Sequence, residues 1–224
     1  MEMKILPPDK GLVTFDIKWR TDTAGPSPDK NMRTEIFLLG CSKAQKGNPC
    51  KGCFNSVTWD IGKAEHSRDP LEIADFIIKN APNKYITIGG GEPTDQINYL
   101  IPLIKKLKEN DFHIMMYTWR NFEYETSLFW HKNHPYEYRL RIEDWIKLEK
   151  YIDILVDGEY KQEERLYQQD LGDGMLSSIG SGNQCVYDIK HMRETGETLK
   201  YSMRDLAGLY IKPDTNDLVY ITKE

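Results

Sequence analysis

Apolar and polar residues alternate over positions 12–19, the two-residue period of a strand with one buried face, and the segment reads as an edge strand. Residues 21–31, with Gly25, Pro26 and Pro28, read as loop. A short apolar run at 35–39, closed by Gly40, predicts a buried strand that delivers Cys41 into a long loop. At 69–80 an Asp-Pro start precedes Leu71, Ile73, Ala74, Ile77 and Ile78, the spacing of one buried helix face. A short β-branched strand at 85–88 runs straight into Gly89, Gly90 and Gly91. Residues 97–108 form the next amphipathic helix, with Leu100, Ile101, Ile104 and Leu107 on one face and lysines on the other. Then come a strand at 113–118, a helix at 142–150, a strand at 152–156 closed by Asp157-Gly158, and a further strand at 184–189.

Strands separated by helices, with unusual residues at strand C-terminal ends, predict an α/β fold with a mostly parallel sheet and a site along that edge. An open or partial (β/α) barrel fits this order. The 224 residues suit one domain. Its core spans about 33–190, the aromatic-rich stretch 121–141 lacks a clear period and reads as an insertion, and 191–224 reads as a C-terminal extension. No internal repeat or low-complexity tract interrupts the pattern.

Charge and composition narrow the classes. Apolar residues make up 39% and charged residues 29%, which describes an ordinary folded protein, and no apolar run reaches membrane-spanning length. The net charge of −5, with both signs interspersed, argues against a nucleic-acid partner. Residues 1–9 carry neither a basic n-region nor an apolar h-region, so the expected location is cytoplasmic, with reduced thiols.

Of the four cysteines, three stand together with the spacing Cys41-x8-Cys50-x2-Cys53. In a reducing compartment such clustering points to metal. Three thiolates on a four-iron cubane leave one iron open to a substrate, whereas a structural zinc takes four closed ligands. Gly47, Pro49 and Gly52 supply the tight bends. A zinc site completed by Cys185 or His66 is the competing reading of the same spacing. Cys185 alternatively packs as a small apolar residue. The triplet Gly89-Gly90-Gly91 lets a ligand approach the backbone, and Glu92 adds a carboxylate able to accept from a ligand amine. It lacks the spacing of a phosphate-binding loop.

The run Cys50-Lys51-Gly52-Cys53-Phe54-Asn55, then Thr58-Trp59, then Gly90-Gly91-Glu92-Pro93 resembles the radical-SAM activating enzymes. More narrowly, Ile154-Leu155-Val156-Asp157-Gly158 and Gly180-Ser181-Gly182-Asn183-Gln184 resemble the activating proteins of anaerobic (class III) ribonucleoside-triphosphate reductase. Two departures stand out. Relatives separate the first two cysteines by three residues, not eight, and Thr118-Trp119-Arg120 stands where they have Thr-Gly-Tyr.

The resemblance implies a [4Fe-4S] cluster on Cys41, Cys50 and Cys53 that reductively cleaves S-adenosyl-L-methionine to a 5′-deoxyadenosyl radical. That radical takes a hydrogen from a glycine of the partner reductase. Gly90, Gly91 and Glu92 would border the methionine end, Phe54 the adenine and Thr118 the ribose. Asp157 and Asn183 are candidates for the same rim. Against those two stand plain readings, Asp157-Gly158 as a turn and Asn183 and Gln184 as bridges between backbone groups. A flavodoxin or ferredoxin-type reductant is implied as electron donor. Two alternatives remain, a 7-carboxy-7-deazaguanine synthase-like radical-SAM enzyme and a non-catalytic zinc-binding interaction module. In the insertion, His131 and His134 read as surface residues, and Trp130, Tyr136 and Tyr138 as local packing or partner docking.

Overall fold

The computed structural model describes residues 5–7, 10–20, 25–29, 32–63, 67–122, 142–166 and 180–223. The aromatic and histidine residues of the predicted insertion beyond Phe122, and His66, lie outside them.

A seven-stranded sheet organises the molecule. In spatial order it runs β2 (Thr14–Arg20), β3 (Arg33–Leu38), β5 (Tyr85–Gly90), β6 (His113–Tyr117), β7 (Ile154–Asp157), β8 (Cys185–Asp188) and β9 (Lys200–Ser202). The four central strands β3, β5, β6 and β7 are mutually parallel, as the alternating pattern predicts. The outer pairings β2–β3, β7–β8 and β8–β9 are antiparallel, so β9 points the same way as β7. The sheet is open, ending at β2 and β9. Two antiparallel pairs stand apart from it, β1 (Ile5–Leu6) with the distant β4 (Ser67–Arg68) and the hairpin of β10 (Leu206–Ile211) with β11 (Leu218–Thr222).

Each parallel crossover is helical. Helix α2 (Pro70–Asn80) starts where Asp69 accepts from the Leu71 N–H at 2.7 Å, with Pro70 supplying a preset first turn. Helix α3 (Ile97–Lys108) buries Ile97, Leu100, Leu103, Ile104 and Leu107. Helix α4 (Ile142–Leu148) buries Trp145 and Leu148. These faces close on Ile36, Leu38, Ile86, Ile88, Ile114, Met116 and Leu155 from the sheet, forming the larger core. Because side chains alternate along a strand, Glu35, Phe37, Thr87, Gly89, Met115 and Tyr117 point to the opposite face.

Part of that second face is covered by the C-terminal segment. Leu206, Leu209, Ile211 and Leu218 pack on Met115, Ile154, Val156 and Val186. The C-terminal stretch continues helix α5 (Ile189–Thr195), adds β9 to the sheet edge and seals the lower half of a face. Its upper half, toward the strand C-terminal ends, stays open and carries the cavity described below. At the opposite end Asp153, 1% exposed, gathers Lys108 Nζ at 2.6 Å, Arg193 Nη2 at 3.0 Å and the Ile114 N–H at 2.9 Å. Among the described residues no helix is long and apolar enough to cross a membrane.

Candidate functional site at the strand C-terminal edge

Strand β3 ends at Leu38, and Cys41 follows as the residue capping a one-turn helix, α1 (Ser42–Gln45). The long segment between Cys41 and Cys50 is therefore partly helical. Its chain reverses through Cys50 and Cys53, where the Cys53 N–H donates to the Cys50 carbonyl at 3.2 Å. The loop then returns, and the carbonyls of Thr58 and Trp59 accept the N–H groups of Gly40 and Cys41 at 2.7 and 3.1 Å. This gives the Thr58-Trp59 pair a physical role, since it seats the first cysteine by backbone hydrogen bonds.

The glycine motif is stitched to the same strand end. Gly91 donates to the Leu38 carbonyl at 2.7 Å and Glu92 to the Gly40 carbonyl at 2.8 Å. A Cβ on Gly91 would overlap the Gly40 carbonyl, so the two turns can approach this closely only with glycine there. Strand β5 runs through Gly89 and Gly90, two residues beyond the sequence expectation, because the edge pairing with Phe37 and Leu38 persists.

Glu92 sits differently from the expectation of a ligand-facing carboxylate. It is fully buried, and Oε1 accepts from Thr94 N at 2.9 Å, Thr94 Oγ1 at 2.5 Å and Thr118 Oγ1 at 2.8 Å, while Oε2 accepts from Trp119 N at 3.0 Å. Burial, with Asp95 nearby, raises its carboxyl above the usual range, opposed by Arg120 and the Thr94 hydrogen bonds. The carboxylate thus ties the end of β5 to the end of β6. Asp95 continues the tie toward the cysteines, accepting from Ser42 N at 2.7 Å and Ser42 Oγ at 2.9 Å. Arg120 joins both by donating to Thr94 Oγ1 at 2.9 Å and Asp95 Oδ1 at 2.7 Å. On the other side of the loop, Lys43, 4% exposed, donates to the Asn48 carbonyl at 2.7 Å and pairs with Glu159 Oε1 at 3.1 Å.

These ties surround one cavity of about 400 Å³, a size suited to a drug-sized or cofactor ligand. Cys41, Cys50 and Cys53 all line it, together with Phe54, Gly90, Gly91 and Thr118. Phe54 is 51% exposed and forms a rim with Tyr160, ring centroids 4.7 Å apart, and Arg165, 4.8 Å above its ring. Asp157 and Asn183 do not line the cavity. Asp157 Oδ2 accepts from Phe122 N at 2.6 Å, and Asn183 Nδ2 donates to the Glu159 carbonyl at 2.8 Å. Gln184 lines it instead, while accepting from Ser181 N at 3.0 Å and donating to the Gly158 carbonyl at 2.8 Å. The bridging reading describes Gln184, which joins two backbone groups, whereas Asn183 reaches one. Asp95, Arg120 and Lys43 are the supporting residues that the sequence pattern leaves unmarked, apart from the departure at Arg120.

The donor set fits an iron–sulfur cluster. Burial first, then Glu92 and Asp95, pushes the Cys41 thiol up to about 11, and burial, then Glu159, pushes Cys50 up to about 12. Such thiols are protonated at neutral pH, and a bound metal displaces those protons. Among the described residues no three metal-ligating side chains stand close enough to share one ion. A cubane takes one thiolate on each of separate irons, so its ligands need no common point. Cys185 lies on β8 opposite Asp157 and packs against the helical-side core.

Comparison with known proteins agrees with this chemistry. The family described as "4Fe-4S single cluster domain" matches residues 29–187. The anaerobic ribonucleoside-triphosphate reductase-activating protein of Haemophilus influenzae is 24% identical over 167 residues, covering 70% of this chain and 88% of that protein. Proteins of the same name from Pasteurella multocida and Vibrio cholerae are each 24% identical, covering 69% of this chain and 86% of theirs. A crystal structure of QueE from Escherichia coli overlays 50% of this chain and 52% of its own at 20% identity, with a TM-score of 0.34. With the family match spanning most of the sheet and the whole cysteine loop, the chain belongs to the 4Fe-4S single cluster domain family.

Proposed function

We propose that this chain is a radical-SAM activating enzyme for an anaerobic ribonucleoside-triphosphate reductase. The observation that carries the reading is the convergence of Cys41, Cys50, Cys53 and the Gly90-Gly91 turn on one cavity. The three relatives, each named as an activating protein for that reductase and each matched over most of its length, support the choice of partner.

In this reading the three cysteines hold the cluster. When bound, the cluster would pass one electron from the reductant to S-adenosyl-L-methionine, giving methionine and a 5′-deoxyadenosyl radical that would take hydrogen from a glycine of the reductase and end as 5′-deoxyadenosine. The backbone at Gly90 and Gly91 borders the methionine end, free of side chains. Phe54, with Tyr160 and Arg165, offers an aromatic and cationic rim for adenine, and Thr118 stands where the ribose would pass. Glu92, Asp157 and Asn183 act as positioning residues, Glu92 holding Trp119 at the cavity wall and the other two holding Phe122 and Glu159 behind it. The apolar Phe54 and Trp59 limit water near the reacting atoms. A cytoplasmic flavodoxin or ferredoxin-type protein is the proposed reductant.

The test is direct. The anaerobically reconstituted protein, reduced and mixed with S-adenosyl-L-methionine and an anaerobic reductase, is expected to give the paramagnetic resonance doublet of a glycyl radical. Turnover of a pterin-like small molecule with no doublet on the reductase would sink the reading.

A further inference from the structure

From the strand C-terminal ends, where the cysteines meet the Gly90-Gly91 turn, the cavity continues back along the helix-free face of the sheet. Strand register sets its floor. Glu35 on β3 pairs with Thr87 on β5, and one step nearer the C-terminal edge Phe37 pairs with Gly89. On β6, Met116 pairs with Ile88, which sets Tyr117 beside Gly89. Phe37, Gly89 and Tyr117 therefore form one row across three strands, with Glu35 and Thr87 in the row beneath, and all five line the cavity.

Adjacent strands lie about 4.8 Å apart, so the backbones carrying Phe37 and Tyr117 are about 10 Å apart. Between them the strand is bare: a Cβ on Gly89 would find no atom within 4 Å. A glycine inside a strand marks a place where another backbone can approach. The row beneath is polar and buried. Glu35 is 6% exposed. Arg33, on the same strand face, is wholly buried and directs its guanidinium to Thr87 Oγ1 at 2.8 Å and to the carbonyls of Pro26 and Ile86 at 2.5 and 2.6 Å. Glu35 is one of the acidic groups whose field reaches that guanidinium, and its carboxylate gives the cavity lining an acceptor.

We propose that this slot is a substrate subsite, in which the glycine-bearing loop of the reductase lies over Gly89 between Phe37 and Tyr117 and donates an N–H to Glu35. The proposal rests on the activating-enzyme reading. The residues proposed for the cofactor stand at the strand C-terminal ends, which leaves the sheet floor one row back along the strands to the group that loses hydrogen. A Cα can reach that position only if its own backbone enters the site, and two ring walls around a bare strand admit a segment whose central residue has no side chain. A carboxylate at the end selects an amide N–H or a cationic side chain and disfavours a carbonyl or an acid.

Glu35→Gln keeps the shape and removes the charge, and Gly89→Ala adds one methyl to the slot where it displaces no neighbour. Wild type and both variants, anaerobically reconstituted and quantified for iron, sulfide and cluster resonance, are titrated with anaerobic ribonucleoside-triphosphate reductase. The doublet is scored per mole of cluster, beside 5′-deoxyadenosine formed without reductase. In each variant the reductase concentration giving half-maximal radical is expected to rise about tenfold, from a neutral acceptor in place of a charged one or from an equivalent obstruction, with the saturating yield kept. Variants that match wild type at every concentration would overturn the subsite and leave the activating-enzyme reading standing. A loss seen in the saturating yield or in reductase-free 5′-deoxyadenosine would assign these residues to the cofactor and also overturn it. An intact cluster that cleaves S-adenosyl-L-methionine in the wild type yet leaves no radical on the reductase would overturn both.

Discussion

Asp95 and Arg120 meet with Oδ1 and Nη2 2.7 Å apart, joining the turn after β5 to the turn after β6 directly beside the cysteine loop. Both side chains are largely shielded, at 20% and 15% exposure, so solvent screens the pair less than an open surface bridge. Asp95 also receives two hydrogen bonds from Ser42, the residue after Cys41.

Removing Asp95 therefore loosens the loop from the frame. Asp95→Ala deletes three hydrogen bonds at once and is expected to cost roughly 1–3 kcal/mol in urea denaturation of the iron-free protein. The same variant should release reconstituted iron faster under chelator than wild type. Unchanged stability with unchanged iron release would show that α1 holds its position without this tie.

Glu92 makes a sharper distinction between support and ligand binding. Glu92→Gln replaces an acceptor with an N–H₂ group that must face Thr94 N or Trp119 N, both donors, within a fully buried site. The iron-free, ligand-free variant is expected to lose about 2 kcal/mol of stability. A variant as stable as wild type, impaired only in binding S-adenosyl-L-methionine, would return Glu92 to the ligand.

The buried His113 predicts a pH dependence. Burial first, with Arg33 and Lys108 adding and Asp153 opposing, pulls its imidazole down to about 3. The folded-state value lies below the unfolded one, ordinarily about 6.5, so as pH falls the unfolded chain takes up a proton that the folded chain refuses. This contribution is absent above pH 7 and disfavours the fold by about 2 kcal/mol at pH 5. Asp153, held below its ordinary value despite burial by His113, Lys108 and the Ile114 N–H, loses its stabilising contribution only at lower pH, so the two windows separate. Stability measured from pH 7 to 5 should fall less steeply in His113→Gln than in wild type, and parallel profiles would refute the assignment.

Much of the frame was legible because burial imposes a local period. The helices at 70–80 and 97–108 and the central strands follow from apolar spacing and from Asp69-Pro70, and the cysteine and glycine motifs mark the correct strand ends. What local pattern cannot carry is pairing across the chain. Lys200–Ser202 is short and partly exposed, so nothing in its period marks β9 as a sheet edge, and the antiparallel turn of β8 depends on that later segment. Glu92 beside a glycine turn is equally compatible with facing a ligand or facing inward. Only the positions of Thr118 and Trp119, about twenty-five residues on, decide it. Asp157 and Asn183 turn to Phe122 N and the Glu159 carbonyl through contacts likewise distant in sequence, whereas Gln184, their neighbour, reaches the cavity wall.

The most direct test of the central claim is an assay for 5′-deoxyadenosine. Wild type and Cys53→Ala are reconstituted anaerobically with iron and sulfide, reduced, and supplied with S-adenosyl-L-methionine. The account predicts a [4Fe-4S] resonance and product from wild type, with at least a hundredfold less from the variant, about 2.7 kcal/mol or more of lost transition-state stabilisation. Zinc in place of iron, or equal product from both proteins, would contradict it.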